Sequence, residues 1–253
     1  MTADLQKANF SKRIAALLLD LILLMILVTG AATVLTAVMN YDTYATAADA
    51  RQKHFESEYN VRFDISEEEY VKLSEDKQQL YNDAYQALYK DKEFLRAYNM
   101  MINLITLIFS LSILAGVMIV EFVIPMFLKN GQTLGKKVFG IGLVRIDGVQ
   151  LSTLQLFVRA FLGKFAIELM IPTYIVIMLF FNVANIIHLA ILAILLIAQV
   201  VCLAVTRTNS AIHDLLAGTV AIDISSQQIF RSAEELLEYT KKIHAERANR
   251  SSY

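Results

Sequence analysis

Cysteine occurs once in this chain of 253 residues, at Cys202, so no intrachain disulfide can form and sulfur says nothing about the redox compartment. No excess of one charge exists either: 23 basic residues stand against 24 acidic ones, and no nucleic-acid partner is expected. The usual signatures of chemistry are also incomplete. In "NGQTLGKKVFGIGLV", Gly131 and Gly135 are separated by three residues instead of the four of a phosphate-binding loop, and Lys137 stands where Ser or Thr would meet magnesium. Gly140 and Gly142 follow a basic segment, not a strand, and no third glycine completes a dinucleotide fingerprint. No Ser, Cys or His arrangement supplies a nucleophile with its base, so neither enzymatic activity nor a cofactor is expected. His188 has no Cys or carboxylate near it at metal-ligand spacing, which argues against a metal site.

What the chain has in excess is apolar surface. Hydrophobic residues make up 56% of it, against about 45–50% in ordinary soluble domains. A membrane-spanning helix needs about 20 consecutive apolar residues, because about 30 Å of hydrocarbon is crossed at 1.5 Å per residue. Residues 14–39 and 100–127 each qualify, and the apolar block 162–205 is long enough for two helices and too long for one. That block should turn near Asn182–Asn185, giving spans 162–181 and 184–206, with Pro172 kinking the third span instead of ending it. The first run exceeds the about 7–15 apolar residues of a signal-peptide core, so it is expected to be retained as a span.

Charge sets the expected topology. Lys7, Lys12 and Arg13 precede the first span, and Lys129, Lys136, Lys137, Arg145, Arg159 and Lys164 cluster between the second and third against the lone Asp147. Residues 40–99 carry 13 acids and 8 bases. The positive-inside rule then places residues 1–13 and the basic loop 128–161 in the cytoplasm and 40–99 outside. Four spans return the tail, 207–253, to the cytoplasm, whereas three would leave it outside. The expected fold is an all-α polytopic membrane protein of the cell membrane, a four-helix bundle with an extracellular helical insertion and a small cytoplasmic β-hairpin-like ribbon.

Local signals fill in the rest. "SEEEY" at Ser66 matches a capping box, and Tyr70, Leu73, Leu80, Ala84, Leu88 and Leu95 recur at helical spacing, so the insertion should be mostly helical. Eight of the eleven tyrosines fall within it, where they would pack a small helical cap or sit at the membrane interface. "IGLVRIDG" and "TVAIDIS" alternate as strands do, and residues 141–146 and 219–224 are expected to pair antiparallel. Ser232 with Glu235 opens a solvated amphipathic helix that should end before a disordered "NRSSY".

Four ionisable side chains lie in the apolar spans: Asp20, Glu121, Glu168 and His188. An acid at the centre of a span costs about 2.5–3.5 kcal/mol, so such groups usually face protein or a wet cavity. Counted at 1.5 Å per residue, Asp20 lies roughly 10 Å beyond Arg13, Glu121 roughly 12 Å from Lys129, and Glu168 roughly 6 Å beyond Lys164. All three carboxylates therefore fall in the cytoplasmic half and suggest a polar vestibule open to the cytosol. Asp20 has two readings: a structural charge paired with another helix or capping a backbone turn, or an ion or proton site. Glu121 and Glu168 are candidates for the same site, Glu168 being near enough to the interface to reach water. Arg13 is expected to snorkel to the headgroups. His188 is expected to be an interhelical hydrogen-bond partner and Cys202 a small buried residue.

"KRIAALLLD", "GQTLGKKVFGIGLVRIDG", "LFVRAFLGK" and "SAIHDLLAGT", in this order and spacing, resemble the RDD family of prokaryotic membrane proteins. The family is named for one arginine and two aspartates, which map here onto Arg13, Asp20 and Asp214. The resemblance covers three of the four spans and the basic loop, and leaves residues 40–99 outside. It implies transport of ligands not yet defined, with cation/proton antiport for some members. Asp214 would approach Arg13 or Arg159, or serve as a first-turn acid of a helix through "LLAG". Two functions follow. In one, a homo-oligomeric transporter in the lipid bilayer moves a monovalent cation or proton by way of Asp20 and Glu121. In the other, a non-transporting membrane module recruits a partner through its ribbon, tail or external cap.

Overall fold

The computed structural model describes residues 7–180, 183–225, 227 and 229–251. Among them, four helices are long and apolar enough to cross a membrane: Phe10–Val38, Lys92–Phe127, Thr153–Leu179 and Ile186–Val205. Their apolar side chains stay largely uncovered by protein; none in Ile186–Val205 is buried, and Ile194, Leu196, Ile197 and Val200 are all exposed. Water would penalise such surface, whereas hydrocarbon covers it at no cost and requires only that the backbone bond to itself, as a helix does.

The chain forms two compact units, Thr29–Ser112 and Met1–Val28 with Ile113–Tyr253. Helix α1 is Phe10–Val38 and α5 is Lys92–Met118. Within the first unit, α2 (Tyr41–Tyr59) is bracketed by Asn40 and Asn60, both left-handed, a conformation asparagine tolerates better than other residues with a side chain. Ser66 and Glu69 form the capping box expected of them and open α3 (Glu67–Val71); α4 (Glu75–Leu88) follows. Ala48, Leu88, Phe94 and Ala97 make a small core with Phe55 and Phe63 against it. The tyrosines pack on one another: Tyr85 and Tyr89 lie 4.6 Å apart between ring centroids, Tyr70 and Tyr81 5.2 Å. Arg51 grips Asp91 with two N–H groups at 3.2 and 2.5 Å, and Asp91 also accepts the Phe94 N–H at 2.6 Å. That fork ties α2 to the start of α5.

In the second unit the helix containing Glu121 widens into a π-helical turn, Ile119–Val123, before α6 (Ile124–Phe127). After α7 (Leu134–Val138) and strand β1 (Ile141–Arg145), α8 (Thr153–Phe157) leads into a second π-helical stretch, Val158–Met170, and then α9 (Ile171–Phe180). Each π stretch ends two residues before one of the two prolines, Pro125 and Pro172. A proline cannot donate to the carbonyl four residues back, and those carbonyls belong to Glu121 and Glu168. Both intramembrane glutamates thus sit where regular helical bonding is interrupted, the usual setting of functional π-bulges. The helix continues through Pro172, as expected.

The third helix starts at Thr153, well ahead of the apolar block, because Ser152 and Gln155 make a capping box there. Arg159, expected in the 128–161 loop, is therefore a helix residue, as Lys164 is. Helix α10 is Ile186–Val205, α11 is Ile212–Ala217 and β2 is Thr219–Asp223. The strands pair antiparallel from Ile141↔Asp223 to Arg145↔Thr219, close to the expected limits. Leu143, Val144, Val220 and Ile222 are wholly buried, and the Ala8 N–H donates to the Ala221 carbonyl at 3.2 Å. Helix α12, Ala233–Ser251, begins with the Ser232 hydroxyl accepting the Glu235 N–H at 3.3 Å. It includes three of the five residues expected to be disordered; Ser252 and Tyr253 lie outside the described residues, as does Asn182 of the expected turn.

Three side-chain expectations are corrected. His188 does not bridge helices: its Nδ1 accepts the Asn185 N–H at 3.2 Å, closing a capping box on its own helix, which an apolar neighbourhood rewards because the N–H is otherwise orphaned. Cys202 is half-buried. Arg13 does not extend to headgroups; its Nη1 donates to the Asn209 carbonyl at 2.7 Å, an acceptor that the chain brings back beside α1 after α10.

Candidate charged site in the helix bundle

Asp20 is almost fully buried, 4% exposed, and both of its oxygens are used. Oδ1 accepts the Gly135 N–H at 2.8 Å and Oδ2 the Thr133 hydroxyl at 2.5 Å. Thr133 is the N-cap of α7 and itself accepts the Lys136 N–H at 3.2 Å. A carboxylate at a helix N-terminus meets orphan donors and the positive end of the backbone dipoles. Gly135 makes the approach possible: a Cβ there would stand 2.3 Å from the Ala16 carbonyl oxygen and 2.8 Å from Asp20 Oδ1.

Glu121 is equally buried and faces three bases. Arg159 Nη1 lies 2.6 Å from Oε2, Lys164 Nζ contacts Oε1, and Lys136 Nζ is 3.6 Å away. Arg159 also donates from Nε to Asp214 Oδ1 at 2.9 Å, so one guanidinium joins two carboxylates. Asp214 accepts the Thr219 hydroxyl at 2.9 Å and has Arg13 at 3.9 Å. His213 turns Nδ1 to Glu168 Oε1 at 2.8 Å, and its own N–H reaches the same oxygen at 3.2 Å. Gly163 lets α11 press against the π stretch, since a Cβ there would be 2.5 Å from the His213 Cβ.

Asp20, Glu121 and Glu168 are therefore brought into one network. Lys136 links the first two at 3.9 and 3.6 Å, and the series Arg159, Asp214, His213 leads from Glu121 to Glu168. Arg13 and Asp214 belong to it as well, Asp214 meeting both bases proposed for it. Four carboxylates (Asp20, Glu121, Glu168, Asp214) stand against four lysine and arginine side chains (Arg13, Lys136, Arg159, Lys164), with His213 among them. Burial pushes the His213 imidazole below its ordinary range, Arg159 and Lys164 acting the same way against Asp214 and Glu168. Burial also lowers Lys136, to about 8, against the pull of Glu121. For Asp214, burial acts upward, and the Arg159 guanidinium and Thr219 hydroxyl outweigh it, holding the carboxyl well below the usual range. The residues that sequence reasoning missed are Thr133, Lys136 and His213. A T-x-x-K start to α7 was the local signal for Thr133 and Lys136.

Besides a cavity of about 250 Å³ that touches it at Glu168 alone, two cavities adjoin the network. One, of about 200 Å³, has Arg13, Lys136, Arg159, His213 and Asp214 in its wall; the other, of about 180 Å³, reaches Leu24, Val117 and Glu121. Asp20, Lys164 and Glu168 line both. Among the described residues no group of His, Cys, Asp and Glu has metal-site geometry.

The RDD family model matches residues 7–218, which takes in every charged residue of this network. The chain belongs to the RDD family. Arg13, Asp20 and Asp214, the positions expected for the family's arginine and two aspartates, lie within the match, and α12 lies beyond it. This RDD protein is 29% identical over 103 residues to a protein of Bacillus subtilis (strain 168) named as uncharacterized protein YckC, a stretch that is 41% of this chain. The chain spans about half the length, 54%, of that curated relative. No solved structure matches it.

Proposed function

We propose that this RDD protein is a cell-membrane transporter that exchanges a small monovalent cation for protons at the charged network. The observation that carries the reading is the sharing of Asp20, Lys164 and Glu168 by two adjoining cavities, one of which reaches toward the apolar middle of the helices at Leu24 and Val117. Charged groups at such depth are costly and mark pathways more often than decoration. Both termini and the 128–161 segment are assigned to the cytoplasm from their lysines and arginines, and residues 40–99 to the exterior. Four helices seldom enclose a path alone, so a homo-oligomer is part of the proposal. No enzymatic reaction is assigned.

The test is proton flux driven by a cation gradient in proteoliposomes, comparing wild type with Asp20→Asn and Glu121→Gln. Flux in the wild type that disappears in folded variants supports exchange. A wild type that moves no protons with any alkali cation refutes it.

One observation favours a second reading, a scaffold without transport. Each of the four carboxylates, three of them buried, is already matched by a base or an N–H, and Asp20 fastens α7 to α1. On that reading the charges hold the bundle, and removing residues 225–253 abolishes capture of a partner while the spans stay folded.

A further inference from the structure

The wall shared by the two cavities consists of Leu17 and three charged residues, Asp20, Lys164 and Glu168. Their freedom differs. Both Asp20 oxygens are fixed on α7, one by a backbone N–H, and Glu168 is held by the ring and the backbone of His213. Lys164 is tied only at the end of a flexible four-carbon stem, by the contact of its ammonium with Glu121. A second acceptor stands nearby, because Glu168 lies four residues further along the same π-helical stretch and lines both cavities together with Lys164. Glu121 lines the cavity that reaches Leu24 and not the other. An ammonium that leaves Glu121 for Glu168 thus gives up a bridge to another helix, across the space beside the shared wall, for a contact along its own helix.

We propose that Lys164 is the movable partition between the two cavities: held on Glu121 it keeps them apart, and turned to Glu168 it joins them. Lys164 is a positioning residue in this role, acting on passage and not on the ion itself. The inference extends the exchange reading above by naming the side chain that controls access. The two positions are the discrete arrangements that a switch requires, since the stem moves between rotamers while the helices stay packed.

Thiol labelling tests it without any transport measurement. In a Cys202→Ser background, Leu24→Cys places a thiol in the wall of the deeper cavity alone. The protein in proteoliposomes is treated with a membrane-impermeant cationic thiosulfonate. With Lys164 present labelling is slow; Lys164→Ala should accelerate it at least tenfold, and Lys164→Arg, which can take Glu121 with two N–H groups, should return it to the slow rate. Equal rates in Lys164, Lys164→Ala and Lys164→Arg proteins that elute as folded species would overturn the partition. Should Lys164→Ala not fold, Lys164→Gln carries the test: without a charge to hold it on Glu121, its labelling must be faster than that of the Lys164 protein, and an unchanged rate refutes the idea. A protein that moves no protons but labels as predicted keeps the partition and loses the exchange reading. Intact exchange with labelling indifferent to Lys164 does the reverse.

Discussion

Asp20 accepts the backbone N–H of Gly135 at 2.8 Å across 115 residues of chain. The contact answers why α1 carries an acid among leucines: the carboxylate is the anion that caps α7. Asp20→Ala removes the acceptor for both Gly135 N–H and the Thr133 hydroxyl and leaves those donors buried. Each hydrogen bond to a charged group is worth about 1.5–3 kcal/mol, so a large fall in Tm is expected in detergent micelles. Asp20→Asn keeps one oxygen for Gly135 and should lose clearly less. Equal losses in the two variants would show that charge, not hydrogen bonding, is what the fold needs at this position.

Gly135 and Gly30 make a paired prediction. A methyl group on Gly135 would meet the Ala16 carbonyl at 2.3 Å, backbone against backbone, with no flexible atom to give way. Gly135→Ala should cost about 1–3 kcal/mol or more, as forced overpacking does. Gly30 lies inside α1 with nothing within 4 Å of a Cβ. Gly30→Ala should stabilise by about 0.5–1 kcal/mol through helix propensity alone. Thermal unfolding of the two variants side by side separates the role of close approach from that of backbone freedom.

Much of this architecture is legible from local pattern. The four apolar helices, the paired strands, the capping box at Ser66 and the Ser232 cap all depend on residues within a few positions of one another, where periodicity and capping chemistry act. Asp20 was opaque for the opposite reason. Its partners stand in "GQTLGKK", whose small residues, exposed N–H groups and lysines invite a phosphate reading; the chemistry is that of an anion site, but the anion is the protein's own. The π stretches hid the rest. A helical wheel of 3.6 residues assigns faces wrongly through Val158–Met170, so the shared face of Arg159, Lys164 and Glu168 could not be drawn from sequence. The Ser152–Gln155 capping box was the overlooked signal that puts Arg159 inside a helix.

Arg159 and Asp214 should be strongly coupled. They meet at 2.9 Å with each side chain 2% exposed. Removing either one strands a buried charge, at about 3–5 kcal/mol. Arg159→Met combined with Asp214→Asn should therefore cost less than the two single changes added together. The shortfall will not be total, because Arg159 also serves Glu121, which keeps Lys164 and Lys136. A double-mutant cycle on unfolding free energy measures the coupling, and strict additivity would contradict the geometry.

Lys136 gives the pH dependence. Burial brings its ammonium to about 8 in the folded protein, from 10.5 in an unperturbed lysine. Between these values the unfolded chain holds the proton and the folded one has released it. Stability gained from this group therefore rises with pH through that window, since the state that binds more protons is disfavoured as they become scarce. Below about 8 the group is charged in both states and contributes no slope. Lys136→Met should abolish this part of the pH dependence between 8 and 10.5 while leaving the slopes of other groups in place. The direct check is a carbon NMR titration of the reductively methylated protein, in which the resonance lost in Lys136→Met should titrate near 8. A midpoint above 10 would mean that Glu121 and Asp20 hold the proton more firmly than burial expels it. Lys136 would then be a permanent counter-charge to the two carboxylates at every pH the protein meets.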